Sequence, residues 1–178
     1  MKLKTTGILT LVSVLGFAAN ANAGVVMDMY AGATVGAGGL TVMTDGSDTS
    51  DSVNSYGAMF GIDIPVLHAE VEYNHLSNSD LKMDLAMVNG YLKMPSTVIK
   101  PYIGVGIGSA FNGKISGQDI SSNPAYQGMV GVTFDIPAMP IKIDAEGRVL
   151  YVPDFVEFYS IKSDLLNYDF RIKLRYVF

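Results

Sequence analysis

Residues 167–178 read NYDFRIKLRYVF, and the chemical character of this stretch alternates at every position. Only a β-strand, whose side chains point alternately to two faces, sorts residues with a period of two. The apolar face is more aromatic than a half-buried strand needs, and the opposite face carries full charges. The stretch therefore raises the question of which face lies inside the fold. One parity carries Tyr168, Phe170, Ile172, Leu174, Tyr176 and Phe178, and the other carries Asn167, Asp169, Arg171, Lys173 and Arg175.

The first 23 residues have the three parts of a secretory signal peptide. Lys2 and Lys4 precede an apolar run over residues 7–18, and Ala21-Asn22-Ala23 supplies a cleavage site. The sequence therefore predicts a cleaved signal peptide at 1–23 and one mature domain at 24–178. The mature chain would keep 10 basic and 17 acidic residues, a net charge of −7, which argues against a nucleic-acid partner.

The composition favours a membrane protein built from strands. The mean hydropathy is +0.29, yet the chain holds no apolar run of 18 residues that would form a transmembrane helix. There is no cysteine, so no disulfide is expected. An exported chain whose apolar residues alternate is typical of a transmembrane β-barrel.

Eight segments have the alternation and length of membrane-crossing strands. Tight connections with proline follow the second, fourth and sixth strands, whereas the other connections are mostly longer and polar. This layout predicts short periplasmic turns and three long surface loops at 37–52, 112–124 and 152–163. The predicted strands are 25–36, 53–64, 67–76, 81–94, 99–111, 125–136, 141–151 and 164–178.

The two faces of these strands predict an inverted barrel. An eight-stranded barrel has room inside only for side chains, and the combined apolar set is too bulky for that space. We therefore expect apolar residues to face lipid, and polar residues and glycines to face the lumen. Tyr102 is an exception that points inward, and the strand at 81–94 changes parity near Met87, which we interpret as a β-bulge.

The stretch KPYIGVGIGSAF at residues 100–111 resembles a strand of the small outer-membrane β-barrel family that includes opacity-type proteins and the OmpA barrel domain. The segment from Ala69 to Pro95 is similar to that family's third and fourth strands. The resemblance implies an eight-stranded antiparallel up-and-down barrel in a Gram-negative outer membrane. It also implies that the last strand is read by the outer-membrane assembly machinery through Phe170, Ile172, Leu174, Tyr176 and Phe178.

Charged residues on the inward parity predict a salt-bridged network in the lumen. We expect Lys142, Asp144 and Glu146 to pair with Arg171, Lys173 and Arg175 on the neighbouring strand. The alternative is a narrow ion-conducting path of porin-like character. The predicted network consists of Glu70, Glu72, Asp144, Glu146, Arg148, Arg171 and Lys173.

Two short motifs carry weaker chemical signals. His68, Glu70 and Glu72 share one strand face, but their spacing of about 7 Å is awkward for a single metal ion. The H-x-S-N stretch from His75 resembles the motif of outer-membrane lipid A deacylases, which implies His75 as base and Ser77 as nucleophile. The position expected for the acidic partner falls near Asn89, and the nearest acids are Asp80 and Asp84.

The function that the sequence favours is non-enzymatic: an envelope-structural barrel that displays surface loops, with an adhesion or antigen role. Phe155, Phe158 and Tyr159 give the loop at 152–163 an apolar surface suited to contact with a host ligand. We expect no cofactor and no metal, a monomer, and contacts with outer-membrane lipid and lipopolysaccharide. The ion-conducting barrel and the deacylase remain the alternatives.

Overall fold

The computed structural model describes residues 27–178 apart from 45–46, 80, 96–98, 116–117, 121, 137 and 159–160. The predicted signal peptide lies outside the described residues. Among the residues described there is no helix long and apolar enough to cross a membrane. The strands are β1 (Asp28–Thr44), β2 (Ser47–Asp63), β3 (Leu67–Ser77), β4 (Leu81–Lys93), β5 (Ile99–Ile115), β6 (Gln118–Ile120), β7 (Asn123–Asp135), β8 (Ile141–Phe158) and β9 (Ile161–Val177).

Eight of these strands form a closed antiparallel barrel, which confirms the predicted fold class. Each of the eight strands pairs with the next one along the chain, and β9 pairs with β1 to close the barrel. The three-residue β6 pairs only with the end of β5, so β5 pairs with β7 in the barrel wall. Following the paired residues once around the barrel from Tyr30 leads to Leu40, ten positions further along β1. Such an offset tilts the strands strongly against the barrel axis.

The barrel has two ends, which we call the turn end and the hairpin end. The turn end carries the three connections with proline. The first residue of β1, Asp28, and the last residue of β9, Val177, also lie there. The hairpin end carries the β1–β2, β3–β4, β5–β6 and β8–β9 connections. β1, β2, β5, β8 and β9 extend further towards this end than the sequence predicted, whereas β3 and β4 keep their predicted lengths to within one residue.

The prediction of three long irregular loops is wrong. Many of the residues in each predicted loop belong to strands that pair with their neighbours. β1 and β2 pair one to one from Asp28↔Asp63 to Thr44↔Ser47, across most of the predicted loop at 37–52. β5 reaches Ile115, and β8 and β9 pair as far as Phe158↔Ile161. Residues 37–52 contain no proline and retain Leu, Thr and Val, so nothing interrupts the ladder there.

The predicted bulge near Met87 is also wrong. Side chains of β4 alternate without a break from Leu81 to Lys93. The irregularity lies in the β4–β5 pairing between Lys82 and Asp84, where Asn112, with a positive φ of 51°, and Gly113 both lie opposite Met83. What changes near Met87 is the environment inside the barrel, not the parity of the strand.

Apolar side chains cover the outside of the barrel along most of each strand. Val35, Val105 and Val130 are each more than 60% exposed, as expected for residues that face lipid. A girdle of tyrosines marks the upper limit of this surface towards the hairpin end: Tyr56, Tyr73, Tyr126, Tyr151 and Tyr168. We call this set the tyrosine girdle.

The lumen is divided into two zones. Charged and polar side chains fill it from the turn end up to about the level of the tyrosine girdle. Above that level the buried side chains are apolar, and we call them the apolar plug. Tyr102 points into the lumen, as predicted, and is 3% exposed. The apolar plug consists of Leu40, Val53, Leu76, Leu81, Met83, Leu85, Met87, Ala110, Ala125, Leu150, Val152 and Leu165.

Candidate functional site

The inward faces of β3, β8 and β9 bring the predicted lumen charges together. All seven predicted residues are buried, none more than 3% exposed. Glycines on the inward faces leave room for their long side chains. A Cβ at Gly36 would lie 2.7 Å from Cγ of Arg171, and one at Gly106 would lie 2.1 Å from Oδ1 of Asn89. A larger residue at either position would displace a side chain of the lumen, so these glycines leave room for Arg171 and Asn89.

Arg171 on β9 lies at the centre of this network. Its Nη1 donates to Oε1 of Glu72 on β3 at 2.5 Å, and its Nη2 contacts Oε1 of Glu146 on β8. Lys173 lies one inward position nearer the turn end, and its Nζ is 3.1 Å from Oε1 of Glu70 and 3.2 Å from Oε2 of Glu146. Two cations on one strand thus bind carboxylates on two other strands.

Some contacts cross the whole lumen. Lys173 Nζ donates to the Tyr91 hydroxyl at 2.9 Å, and β4, which carries Tyr91, lies four strands from β9 in either direction. A shorter contact joins strands two apart, where Gln127 Nε2 on β7 donates to Asn89 Oδ1 on β4 at 2.7 Å. Side chains from opposite walls therefore meet in the middle of the barrel, and they rigidify it.

The predicted pairing of β8 with β9 is found at two of three positions. Glu146 pairs with Arg171, and Asp144 accepts two hydrogen bonds of 2.6 Å from Arg175. Lys142 does not pair with β9, because Arg175 lies directly opposite it and carries the same charge. Lys142 Nζ instead lies 3.1 Å from Oδ2 of Asp63 on β2.

Several charged residues of the lumen were missing from the predicted network. Asp63 forms an ion pair with Lys93 near the turn end, and Arg148 Nε donates to Oδ1 of Asp169 at 3.0 Å. The inward parity of the predicted strands 53–64 and 81–94 would have identified the first pair. Asp169 shares its strand face with Arg171, so the alternation in residues 167–178 would have identified it as well.

Buried carboxylates and cations are paired in the described part of the lumen. Six buried carboxylates, from Asp63, Glu70, Glu72, Asp144, Glu146 and Asp169, face the five buried cations Lys93, Arg148, Arg171, Lys173 and Arg175 and the half-buried Lys142. A buried charge is costly unless a partner compensates it. This pairing therefore stabilises a filled lumen.

His68, Glu70 and Glu72 do not converge on one point. The His68 ring stacks on Tyr91 at a centroid distance of 4.0 Å, whereas Glu70 contacts Lys173 and Glu72 contacts Arg171. Across the part of the chain that the structure describes, no group of three His, Cys, Asp or Glu residues is arranged to hold a metal ion.

A second polar cluster lies on the outside of the barrel, just beyond the tyrosine girdle. His75 Nδ1 is 2.7 Å from Oδ1 of Asp84, which lies directly opposite on β4. The same carboxylate accepts hydrogen bonds from the Tyr73 hydroxyl at 2.8 Å and from Asn112 Nδ2 at 2.9 Å. Asp84, rather than the position near Asn89, is thus the acid beside His75. Ser77 lies two residues from His75 on the same outward face. We call Tyr73, His75, Asp84 and Asn112 the rim cluster.

The remaining predicted residues lie on β8, β9 and their connection. The backbone of β8 extends through Phe155 and Phe158, but the side chains of these residues and Tyr159 lie outside the described residues. The residues of the predicted assembly signature all point outward along β9 and its end: Phe170, Ile172, Leu174, Tyr176 and Phe178. Their role in assembly stays a prediction.

Comparison with solved structures places the chain among small outer-membrane β-barrels by fold. Neisserial surface protein A superposes with a TM-score of 0.67 at 17% identity, over 84% of this chain and 97% of that one. The N-terminal barrel domain of Pseudomonas aeruginosa OprF superposes with a TM-score of 0.54 at 10% identity, over 82% of this chain and 97% of that domain. The attachment invasion locus protein Ail of Yersinia pestis superposes with a TM-score of 0.45 at 12% identity, over 84% of this chain and 99% of that one. No family model and no curated protein sequence matches the chain.

Proposed function

We propose that the protein is a non-enzymatic envelope barrel, exported to a Gram-negative outer membrane, that displays strand hairpins on the cell surface. One observation carries this proposal: the strands continue beyond the tyrosine girdle on top of a barrel whose lumen is filled. A filled lumen suits a scaffold better than a pore. The apolar outer face would contact membrane lipid and lipopolysaccharide, and a closed barrel needs no partner copy.

The displayed structure is a sheet rather than a set of separate loops. β1 pairs with β2 up to Thr44↔Ser47 and with β9 up to Met43↔Asp164, and β9 pairs with β8 up to Phe158↔Ile161. Four adjacent strands thus extend together past the girdle. Such a sheet supports a broad, rigid contact surface, which suits attachment to a host-surface ligand.

Shortening the hairpins tests the display function. Thr41 pairs with Ser50, so residues 42–49 can be replaced by an Asn-Gly turn without changing the register below. Val152 pairs with Leu165, so residues 153–164 can be replaced in the same way. We expect each shortened variant to lose attachment to host cells and matrix proteins when it is expressed on a non-adherent cell.

The controls for this experiment are folding and surface expression. A folded barrel migrates faster on a gel before heating than after, so both variants must keep this shift in mobility. Attachment that stays at the level of the intact protein in both variants would contradict a display function for these hairpins.

A second candidate function, deacylation of lipid A, is favoured by the contact between His75 and Asp84. An acid that holds a histidine is one part of the arrangement that activates a nucleophile, and Ser77 lies two residues further along the same outward face. The predicted result is loss of one acyl chain from the lipid A of expressing cells, and retention of that chain with Ser77→Ala. A lipid A mass spectrum that is unchanged by expression removes this candidate.

A further inference from the structure

The outer surface below the rim cluster contains a groove. Ala86 and Ser109, which lie directly opposite each other on β4 and β5, form its floor. Larger outward side chains flank them: Tyr73 on β3, Ile107 on β5 and Tyr126 on β7. The groove has a volume of about 930 Å³ and opens onto the apolar outer face.

The rim cluster closes the upper end of this groove with polar groups. Asp84 is the next outward residue after Ala86 on β4, and the Tyr73 hydroxyl reaches up to its carboxylate. His75 packs against Tyr56 of the girdle at a centroid distance of 5.2 Å. The apolar groove on the outer surface thus ends at a polar site, at the level where lipid headgroups meet hydrocarbon chains.

Positive charge lies directly above the rim cluster. Lys82 is the next outward residue after Asp84 and is exposed, and Lys114 lies opposite it on β5. Lys114 also lies opposite Asp119 of β6. Substitution of Lys82 is therefore the clearer test of whether a cation at this level binds an anionic ligand.

Two other grooves on the lipid-facing surface lack these features. One lies over Gly90, where the next outward residue towards the hairpin end is Val88. The other lies over Gly128 and Gly147 and is bounded above by Val149 and Tyr168. Neither has a charged side chain at its upper end on the outward face, which makes the groove over Ala86 distinct.

We propose that the groove over Ala86 binds one acyl chain of a phosphate-bearing lipid of the outer leaflet, with the lipid phosphate beside Lys82. The groove is apolar and faces the bilayer, so a hydrocarbon chain matches it. The exposed Lys82 matches an anionic headgroup. His75 contacts Asp84 through Nδ1, which leaves Nε2 for a headgroup hydroxyl or amide. This binding site is independent of the display function, because it uses none of the residues removed in the shortened hairpins.

Native mass spectrometry of the full barrel in detergent tests this site with two probes, lipid A and lipid A whose phosphates have been removed. We expect one lipid A per barrel. Ala86→Phe fills the groove and should weaken binding of both probes about tenfold, equivalent to about 1.4 kcal/mol. Lys82→Gln should weaken binding of lipid A about threefold and leave binding of the phosphate-free probe unchanged.

Matched substitutions elsewhere serve as controls. Ala33→Phe adds the same ring to an exposed outward position of β1 outside the groove, and should bind both probes like the unmodified protein. Lys100→Gln removes a cation at the turn end and should likewise have no effect. All four variants should keep the heat-dependent mobility of a folded barrel. Equal binding by Ala86→Phe and Ala33→Phe, or equal binding of the two probes by the unmodified protein, would overturn the proposal.

Discussion

The two zones of the barrel place polar and apolar side chains on opposite sides of the wall. Towards the turn end the lumen holds Arg171, Lys173 and their carboxylates, and the outer face is apolar. Beyond the tyrosine girdle the lumen holds the apolar plug, and the outward positions of β3 and β4 carry His75, Asp84 and Lys82. The first zone is built like a membrane protein and the second like a soluble barrel.

This difference shows that the surroundings of the wall decide what fills the barrel. Where lipid covers the outer face, strand pairing and lipid contact stabilise the wall, and the lumen can hold charged groups that are mutually paired. Where water covers it, the wall needs a hydrophobic core of its own. Burial of a leucine side chain contributes about 1.5–3 kcal/mol, so the apolar plug supplies that core.

The largest effect is expected from Arg171→Ala in the charged zone. The substitution leaves Glu72 and Glu146 without their central cation, and an unpaired buried charge costs about 3–5 kcal/mol. We expect a loss of this size in the free energy of unfolding, measured by urea titration of the protein in lipid vesicles. Lys82→Ala on the exposed rim is the matched control and should change that free energy by less than about 0.5 kcal/mol.

A loss below about 1 kcal/mol for Arg171→Ala would contradict the network. Such a result would mean that water reaches Glu72 and Glu146 and solvates them.

Leu150→Ala tests the apolar plug. Leu150 is fully buried, so its truncation leaves a cavity and should cost about 2–5 kcal/mol in the same titration. Leu92→Ala is the paired substitution on the lipid face, where Leu92 is 53% exposed to its surroundings. Lipid fills the space that this second truncation leaves, so it should lose only the transfer term, about 1–2 kcal/mol. Equal losses for the two leucines would show that the plug is not tightly packed.

A lysine placed on the outer face locates the boundary between the zones. Val130 lies in the middle of β7, is 62% exposed and faces lipid. Val130→Lys should therefore lower the free energy of unfolding by about 2–4 kcal/mol in the same titration. Asn54 lies on β2 beyond Tyr56, and Asn54→Lys should cost about 0–1 kcal/mol. A similar cost at both positions would place Asn54 inside the hydrocarbon and move the boundary above the tyrosine girdle.

The smallest expected signal is the ionic current through the barrel. The contact of Lys173 with Tyr91 spans the lumen, and the apolar plug lies above it. A planar bilayer that contains the protein should therefore show no discrete conductance steps, whereas a water-filled porin in the same bilayer should show them. Discrete steps that Arg171→Ala alters would establish the ion-conducting alternative.

Much of the wall could be predicted from the sequence, because a strand has a period of two. The alternation in residues 167–178 predicts which side chains of β9 face inward, and those from Asn167 to Arg175 do so. The same reasoning failed at Met87, because it assumed that apolar side chains always face outward. That assumption holds only below the girdle, and no local pattern reveals where the surroundings change from lipid to water.

The contacts across the lumen could not be predicted in the same way. Arg171 and Glu72 are 99 residues apart, and they meet because of the ten-residue offset around the barrel, which depends on every strand pairing at once. The rim cluster shows the same limit at shorter range. His75 and Asp84 lie nine residues apart, and their contact depends on a register that the connection between β3 and β4 sets.

The one-to-one pairing of β1 with β2 up to Thr44↔Ser47 also constrains how this surface can evolve. A residue added to one strand alone would turn the side chains beyond it towards the opposite face of the sheet. A residue added to each strand at the tip would preserve every pair below. Length variants that extend both strands of this hairpin should therefore differ in steps of two residues, while the barrel beneath them keeps its register.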